Sequence, residues 1–421
     1  MNRTIRKAAV ATLLSLFSLS VSGATLAPAY ADEPGVTPTE ITIGGDHPFS
    51  GPASAYGVIG KGIGAYFNYV NDHGGVNGRK ITWIDKDDAY SPPQAVQVVH
   101  QLVEQNHAFL ILNSLGTGVN VAIRPYLNQN KIPQLFVATG ATTFGRDYKE
   151  FPWTIGWQPD YQAETIIDGH DILKNHSKAK VGVIYQNDDY GNDLLTGLKK
   201  GLGAQAGLIV KTASYETTDQ NVSSQISTLK AAGADTLLIF ATPKFAVQSL
   251  IAVSQQSWHP FTYMNLVSAT APLFRAAQKA GGPSAVNGVI SASYVKDPAD
   301  HERYANDAGM KLYKTIMSKY LVGADQDDGF YLYGMAVAFS TIDCLTRAGK
   351  DLTREKVMDA ATHLDETNNP FMYPGVKVQT TPTYRFPVSQ MVFGKWDAAK
   401  QDFVPFGPVI DARQFTTQAE H

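Results

Sequence analysis

A single cysteine, Cys344, stands among 421 residues, so no disulfide forms within the chain. It lies in the apolar run MAVAFSTIDCL, where the expected role is that of a small buried hydrophobe rather than a nucleophile. Charge is scarce as well. Only 17% of residues are charged and the formal net charge is -3, so there is no basic surplus to attract nucleic acid or an anionic membrane. Beyond the N-terminal stretch no run of 18 apolar residues occurs, which leaves no further candidate for a membrane-spanning helix. The common catalytic signatures are missing too: no G-x-S-x-G elbow, no P-loop, no G-x-G-x-x-G after a strand and no H-E-x-x-H. The ten histidines are scattered, and His170 and His176, on one polar helix, are spaced wrongly to share a metal. No metal, no cofactor and no enzymatic activity are expected.

What is present begins at the N-terminus. MNRTIRK is a basic start, and AAVATLLSLFSLSVSGATLA is apolar but flecked with hydroxyls. It ends in Ala29-Tyr30-Ala31, the small-x-small pattern of a cleavage site. A signal peptide over 1–31, cut near Ala31, is therefore expected, with an uncut anchor as the alternative. Export to the periplasm without disulfides suits a chain long enough to bury a core unaided.

At this length two domains are the default. Strands and helices alternate from ITIGG onward. Ile59, Ile63, Tyr66, Phe67 and Val70 fall at helical spacing, followed by the strand KITWIDKDD. Ser91 is placed to cap the next helix, with prolines in its first turn and Ala95, Val98, Val99, Leu102 and Val103 on one face. FLILNS, a helix to Asn130 and QLFVATG repeat the unit. Near FPWTIGWQPDY the rhythm pauses and restarts with VGVIYQ, TLLIFAT and FTYMN and their helices. Short apolar strands between amphipathic helices imply parallel sheets covered on both faces. The tail differs: helices over 301–319, 328–348 and 353–362, then a β-rich end (VKVQT, PVSQMVFGKWD, FVPFG) with hairpin turn signals. The fold class is α/β, with two Rossmann-like lobes.

After each strand comes a small polar or glycine-rich turn where a helix begins: GGDHPFSGPASAYG, NSLGTGVN, VATGATTFG, QNDDYGND and ATPKF. In open parallel sheets ligands bind at these strand ends, where helix N-termini present free N–H groups suited to carboxylates. The turn QNDDYG has two readings beyond the bland one. Asp188 and Asp189 form an acid/base or metal-binding pair, or they cap a helix that presents Tyr190 to a cleft.

The segments PQLFVATGATTFGRDYKEFPWTIGWQPDYQAE, VGVIYQNDDYG, ATPKFAVQ and FSGPASAYG together resemble the type I periplasmic solute-binding proteins of the branched-chain amino-acid transporter family. The resemblance spans nearly all of the chain after residue 31, in order. It implies two lobes joined by a hinge of three crossing strands, a cleft that closes on one small molecule, a monomer, and an ATP-binding-cassette (ABC) membrane permease as partner. The first lobe should take 38–158 and 292–372, the second 159–291 and 373–412. Carried over by position, the family's carboxylate site matches Leu115, Gly116, Thr117, Ala138, Thr139 and Gly140. Its cleft aromatics match Tyr56 and Tyr190, with Phe330 and Tyr331 as weaker candidates; Asn265 stands in the facing turn.

One departure bears on the ligand. Amino-acid binders of the family carry a glutamate in the turn that here reads Asn265, Leu266, Val267, Ser268. An ammonium without a charged partner is costly to bury. An aromatic or short aliphatic carboxylate is therefore the expected ligand, with Asp189 or Asp328 as possible substitutes for the missing acid. The competing functions are hydrophobic amino-acid binding for the same transporter type, ligand sensing for a signalling partner, and an exported enzyme using Asp188 and Asp189.

Overall fold

A computed structural model describes residues 33–415; the expected leader over 1–31 lies outside them. The first series of βα units runs β1 (Glu40–His47), α1 (Val58–Asp72), β2 (Lys80–Asp87), α2 (Pro92–His100) and β3 (Leu110–Leu112). It continues with α3 (Thr117–Gln129), β4 (Gln134–Val137), α4 (Thr143–Arg146) and β5 (Thr154–Gly156). Its five strands lie in the order β2-β1-β3-β4-β5, all neighbours parallel.

The second series runs α5 (Tyr161–Asn175), β6 (Val181–Gln186), α6 (Asp189–Leu202), β7 (Ile209–Tyr215) and α7 (Ser223–Ala231). Then come β8 (Thr236–Phe240), α8 (Pro243–Gln255), β9 (Phe261–Met264), α9 (Ala271–Gly281) and β10 (Ile290–Ser293). Three helices follow, α10 (Ala308–Tyr320), α11 (Gly329–Ala348) and α12 (Arg354–Ala361). The end is β11 (Asp365–Glu366), β12 (Val378–Gln379), β13 (Gln390–Asp397) and β14 (Asp402–Asp411). The second sheet has the order β14-β13-β10-β9-β8-β6-β7, with β13 and β14 antiparallel to their neighbours as a hairpin.

Central strands such as TLLIF are buried at every residue, because helices cover both faces of the sheet. Of the apolar face foreseen in α1, Ile59, Ile63, Tyr66 and Phe67 are in the core and Val70 is half-buried. α1 and α11 approach closely at glycines: a Cβ on Gly62 would lie 2.5 Å from the Tyr331 carbonyl oxygen.

Several local expectations need correction. Ser91 is the N-cap residue of α2, but its side chain makes no capping bond, and the helix start rests on Pro92 and Pro93. The helix expected from residue 301 begins at Ala308, because Asp307 caps it there by accepting from the Met310 N–H at 2.8 Å. The helix carrying His170 is polar in composition and His170 is exposed, but most of the helix before it is buried. Nine successive residues from Tyr161 are buried as α5 packs on α6, with Gly169 against the Gly201 backbone, and His176 lies just past its end.

Candidate ligand-binding cleft

The strand-end turns of the two series meet around one cavity of about 1190 Å³ of empty space, part of it open to solvent. Tyr56, Leu115, Gly116, Thr117 and Ala138 line it from the first series, and Tyr190, Leu266 and Val267 from the second. Phe330 joins them from the first turn of α11.

Each of these is held by its local structure. Gly116 has φ 105°, a conformation that favours glycine, and it turns the chain from β3 into α3. A Cβ there would sit 2.5 Å from the Tyr90 ring, so Tyr90 packs directly on this turn. Thr117 then opens α3, whose first N–H groups lack intrahelical partners. Its hydroxyl is 2.7 Å from that of Thr139.

In the QNDDYG turn Asp188 is the N-cap of α6, accepting from the Gly191 N–H at 3.2 Å, and Asp189 is the first helical residue. Neither lines the cavity. Tyr190, one residue further, does. Its ring packs edge-on against Tyr161 with centroids 5.3 Å apart, and its hydroxyl donates to Asn265 Oδ1 at 2.8 Å. Burial pushes the phenols of Tyr56, Tyr90 and Tyr190 well above the usual tyrosine range, so all three are neutral.

Four sequence candidates lie outside the lining. Thr139 and Gly140 sit behind the wall: the Tyr161 N–H donates to the Gly140 carbonyl at 2.8 Å, and the Tyr161 ring packs where a Cβ of Gly140 would be. The Ala138 and Thr139 N–H groups are used internally, by Ser114 and Val137 carbonyls each at 2.9 Å. Asn265 is wholly buried behind Tyr190. Tyr331, whose backbone lies against Gly62 of α1, is not part of the lining. Asp328, considered as a substitute acid, caps α11 by accepting from the Phe330 N–H at 3.0 Å.

The lining also contains residues with no clear mark in the sequence. Tyr90, Tyr161, Tyr294 and Tyr333 add four phenols, and Gln158 and Thr242 add polar edges. Tyr90 follows β2 in the turn DDAYSPP, a further strand-to-helix turn of the kind that marked the others. Two acids, Asp297 and Asp300, line the region beyond β10. Burial pushes Asp297 up to about 6, while Asp300 is bonded to Arg303 at 2.7 Å. The lining cation Lys296 is committed to Asp307 at 2.6 Å and the Pro370 carbonyl at 2.8 Å.

Two helix-covered sheets whose strand ends face a common aromatic cavity are the architecture of a type I periplasmic binding protein. The chain belongs to the periplasmic binding protein family: the family model so described matches residues 40–401. Leu/Ile/Val-binding protein homolog 3 of Brucella melitensis is 30% identical over 225 residues, 53% of this chain and 58% of that protein. The match thus spans little more than half of that curated relative.

Among solved structures, the fatty acid ABC transporter substrate-binding protein from Thermomonospora curvata superposes with TM-score 0.78 at 22% identity. The alignment covers 93% of this chain and 98% of that one. A solute-binding protein of an ABC transporter from R. palustris, in complex with benzoate, gives TM-score 0.73 at 18% identity, over 88% of this chain and 97% of its own. Identities this low establish the fold alone.

Proposed function

We propose that the chain is the substrate-binding component of an ABC importer. It captures one small apolar carboxylate, aromatic or short aliphatic, and hands it unchanged to a membrane permease. It works in the periplasm as a monomer.

The observation that carries this reading is the polarity of the cavity. One wall holds the free N–H groups at the start of α3 and the Thr117 hydroxyl; tyrosines, Phe330, Leu266 and Val267 form much of the rest. N–H groups at a helix start hold a carboxylate without a neighbouring cation, and Lys296 is already paired. The 265–268 turn carries no acid for an ammonium.

The two lobes are 38–158 with 292–372 and 159–291 with 373–412, with one refinement. The Val388 N–H donates to the Trp157 carbonyl at 3.0 Å and the Gly156 N–H to Arg385 at 3.2 Å, so the last crossing falls just before β13. The segment after β10 runs beside residues 372–373, the Tyr373 N–H donating to the Tyr294 carbonyl at 2.9 Å. Adjacent crossing segments support closure by bending at the hinge.

A second reading, hydrophobic amino-acid binding, is favoured by Asp297 and Asp300 in the lining and by the name of the Brucella relative. Competition titrations decide between them. The expected result is that 4-methylpentanoate and 3-phenylpropanoate bind more tightly than leucine and phenylalanine. At least tenfold tighter binding of either amino acid would overturn the carboxylate reading.

A further inference from the structure

Behind the cavity wall lies an acid with no mark in the sequence. Glu164, in the first turn of α5, is 1% exposed, and both of its oxygens accept hydrogen bonds from the 265–268 turn. The Asn265 side-chain amide donates to Oε2 at 2.6 Å and the Leu266 N–H to Oε1 at 2.9 Å.

This fixes the direction of everything in front of it. An Asn265 amide turned the other way would set its oxygen against a carboxyl oxygen between two buried side chains. With Nδ2 on Glu164, Oδ1 faces Tyr190 and takes the phenol proton at 2.8 Å. Among the described residues none donates to the Tyr190 oxygen, which is left with acceptor capacity only. Burial and then the nearby Asp168 push the Glu164 carboxyl up, while the Leu266 and Asn265 donors favour its anion. Burial, and then the nearby Asp171, also push the Asp168 carboxyl up.

Tyr190 also lies near the carboxylate end of the cavity. Its ring packs on Tyr161, whose hydroxyl faces Thr139, and Thr139 is 2.7 Å from Thr117 at the start of α3.

We propose that Glu164, Asn265 and Tyr190 form a one-directional hydrogen-bond relay that selects carboxylates bearing an uncharged hydrogen-bond donor next to the carboxyl group, the 2-hydroxy acids, over their deoxy counterparts. The inference rests on the carboxylate reading above and adds a specificity to it. Glu164 and Asn265 are positioning residues; Tyr190 makes the contact.

The test is calorimetric titration of the full chain with mandelate against phenylacetate, and 2-hydroxy-4-methylpentanoate against 4-methylpentanoate. The wild type should bind each hydroxy acid about tenfold more tightly than its partner. Tyr190→Phe should bring that ratio close to one. Glu164→Gln places an amide nitrogen opposite Asn265, which turns over, so the phenol proton points to the cavity. Preference should then move to the acceptor-only analogues phenylglyoxylate and 4-methyl-2-oxopentanoate, a reversal that loss of packing cannot produce. Equal binding of hydroxy and deoxy acids by the wild type, or a preference that survives Tyr190→Phe, overturns the relay and leaves the carboxylate reading standing. If none of the acids binds the wild type, the carboxylate reading itself fails and takes the relay with it.

Discussion

The ring of Tyr56 meets the ring of Phe330 edge to face, with centroids 5.0 Å apart and planes inclined at 62°. One precedes α1 and the other opens α11, so the contact depends on how closely these helices approach. Glycine sets that distance, since a Cβ on Gly334 would lie 2.3 Å from the Ile59 carbonyl oxygen. Gly334→Ala should force the helices apart, cost about 2 kcal/mol of stability, and weaken ligand binding as Phe330 withdraws from Tyr56. Thermal unfolding and titration of one preparation check both effects; an unchanged melting temperature would refute the close-approach argument.

Tyr190→Ala removes a ring that lines the cavity and should weaken binding of a carboxylate ligand by about 1–3 kcal/mol. Asp188→Asn keeps the α6 cap and should leave affinity nearly unchanged, whereas Asp188→Ala should lower stability by about 1 kcal/mol. Calorimetry on the three variants tests the order. If Asp188→Asn weakens binding more than Tyr190→Ala does, the acid/base or metal reading of that turn returns.

Gly116→Ala places a side chain at φ 105° and directs its Cβ into the Tyr90 ring. The backbone strain alone should cost about 1–3 kcal/mol. Displacing Tyr90 should also open the cavity wall beside α3. Ligand affinity that survives the substitution would show that this turn lies away from the ligand.

Burial pushes the Asp160 carboxyl up to about 7, although Thr142 and the Gln162 N–H donate to it; nearby Asp193 adds to the rise. An acid whose folded pKa exceeds its unfolded value costs nothing below the unfolded pKa near 4, and its penalty is complete above about 7. Stability should therefore fall as pH rises from 4 to 7, by up to ~4 kcal/mol from this group. Asp160→Asn keeps the acceptor for Thr142 and for the α5 cap, and should flatten that slope. Urea unfolding between pH 5 and 8 measures it; parallel slopes for wild type and variant would exclude Asp160 as the source.

Much of the architecture was readable in advance because it rests on local periodicity. The face Ile59, Ile63, Tyr66, Phe67 is a helix wherever it packs, and TLLIF between a helix and a proline turn is a buried strand. The cap at Asp188 was readable for the same reason, since capping involves residues three apart. Of the site, Tyr56, Leu115, Gly116, Thr117, Ala138, Tyr190 and Phe330 are brought together around the cavity. Thr139, Gly140 and Asn265 were placed in the wall by position and lie one layer behind it, because Tyr161 and Tyr190 stand between them and the cavity.

The sequence by itself determined the alternation of strands and helices, the polar turns where helices start, and the family, since each depends on residues close together along the chain. Only the tertiary structure decided that Tyr90 closes on Gly116, that Asp297 and Asp300 enter the lining, and that Glu164 stands behind Asn265. These are contacts between elements far apart in sequence. Spacing within α5 says that Glu164 is helical, but only its packing against the 265–268 turn says which donors it meets. The direction of a hydrogen bond follows from which two groups are buried together.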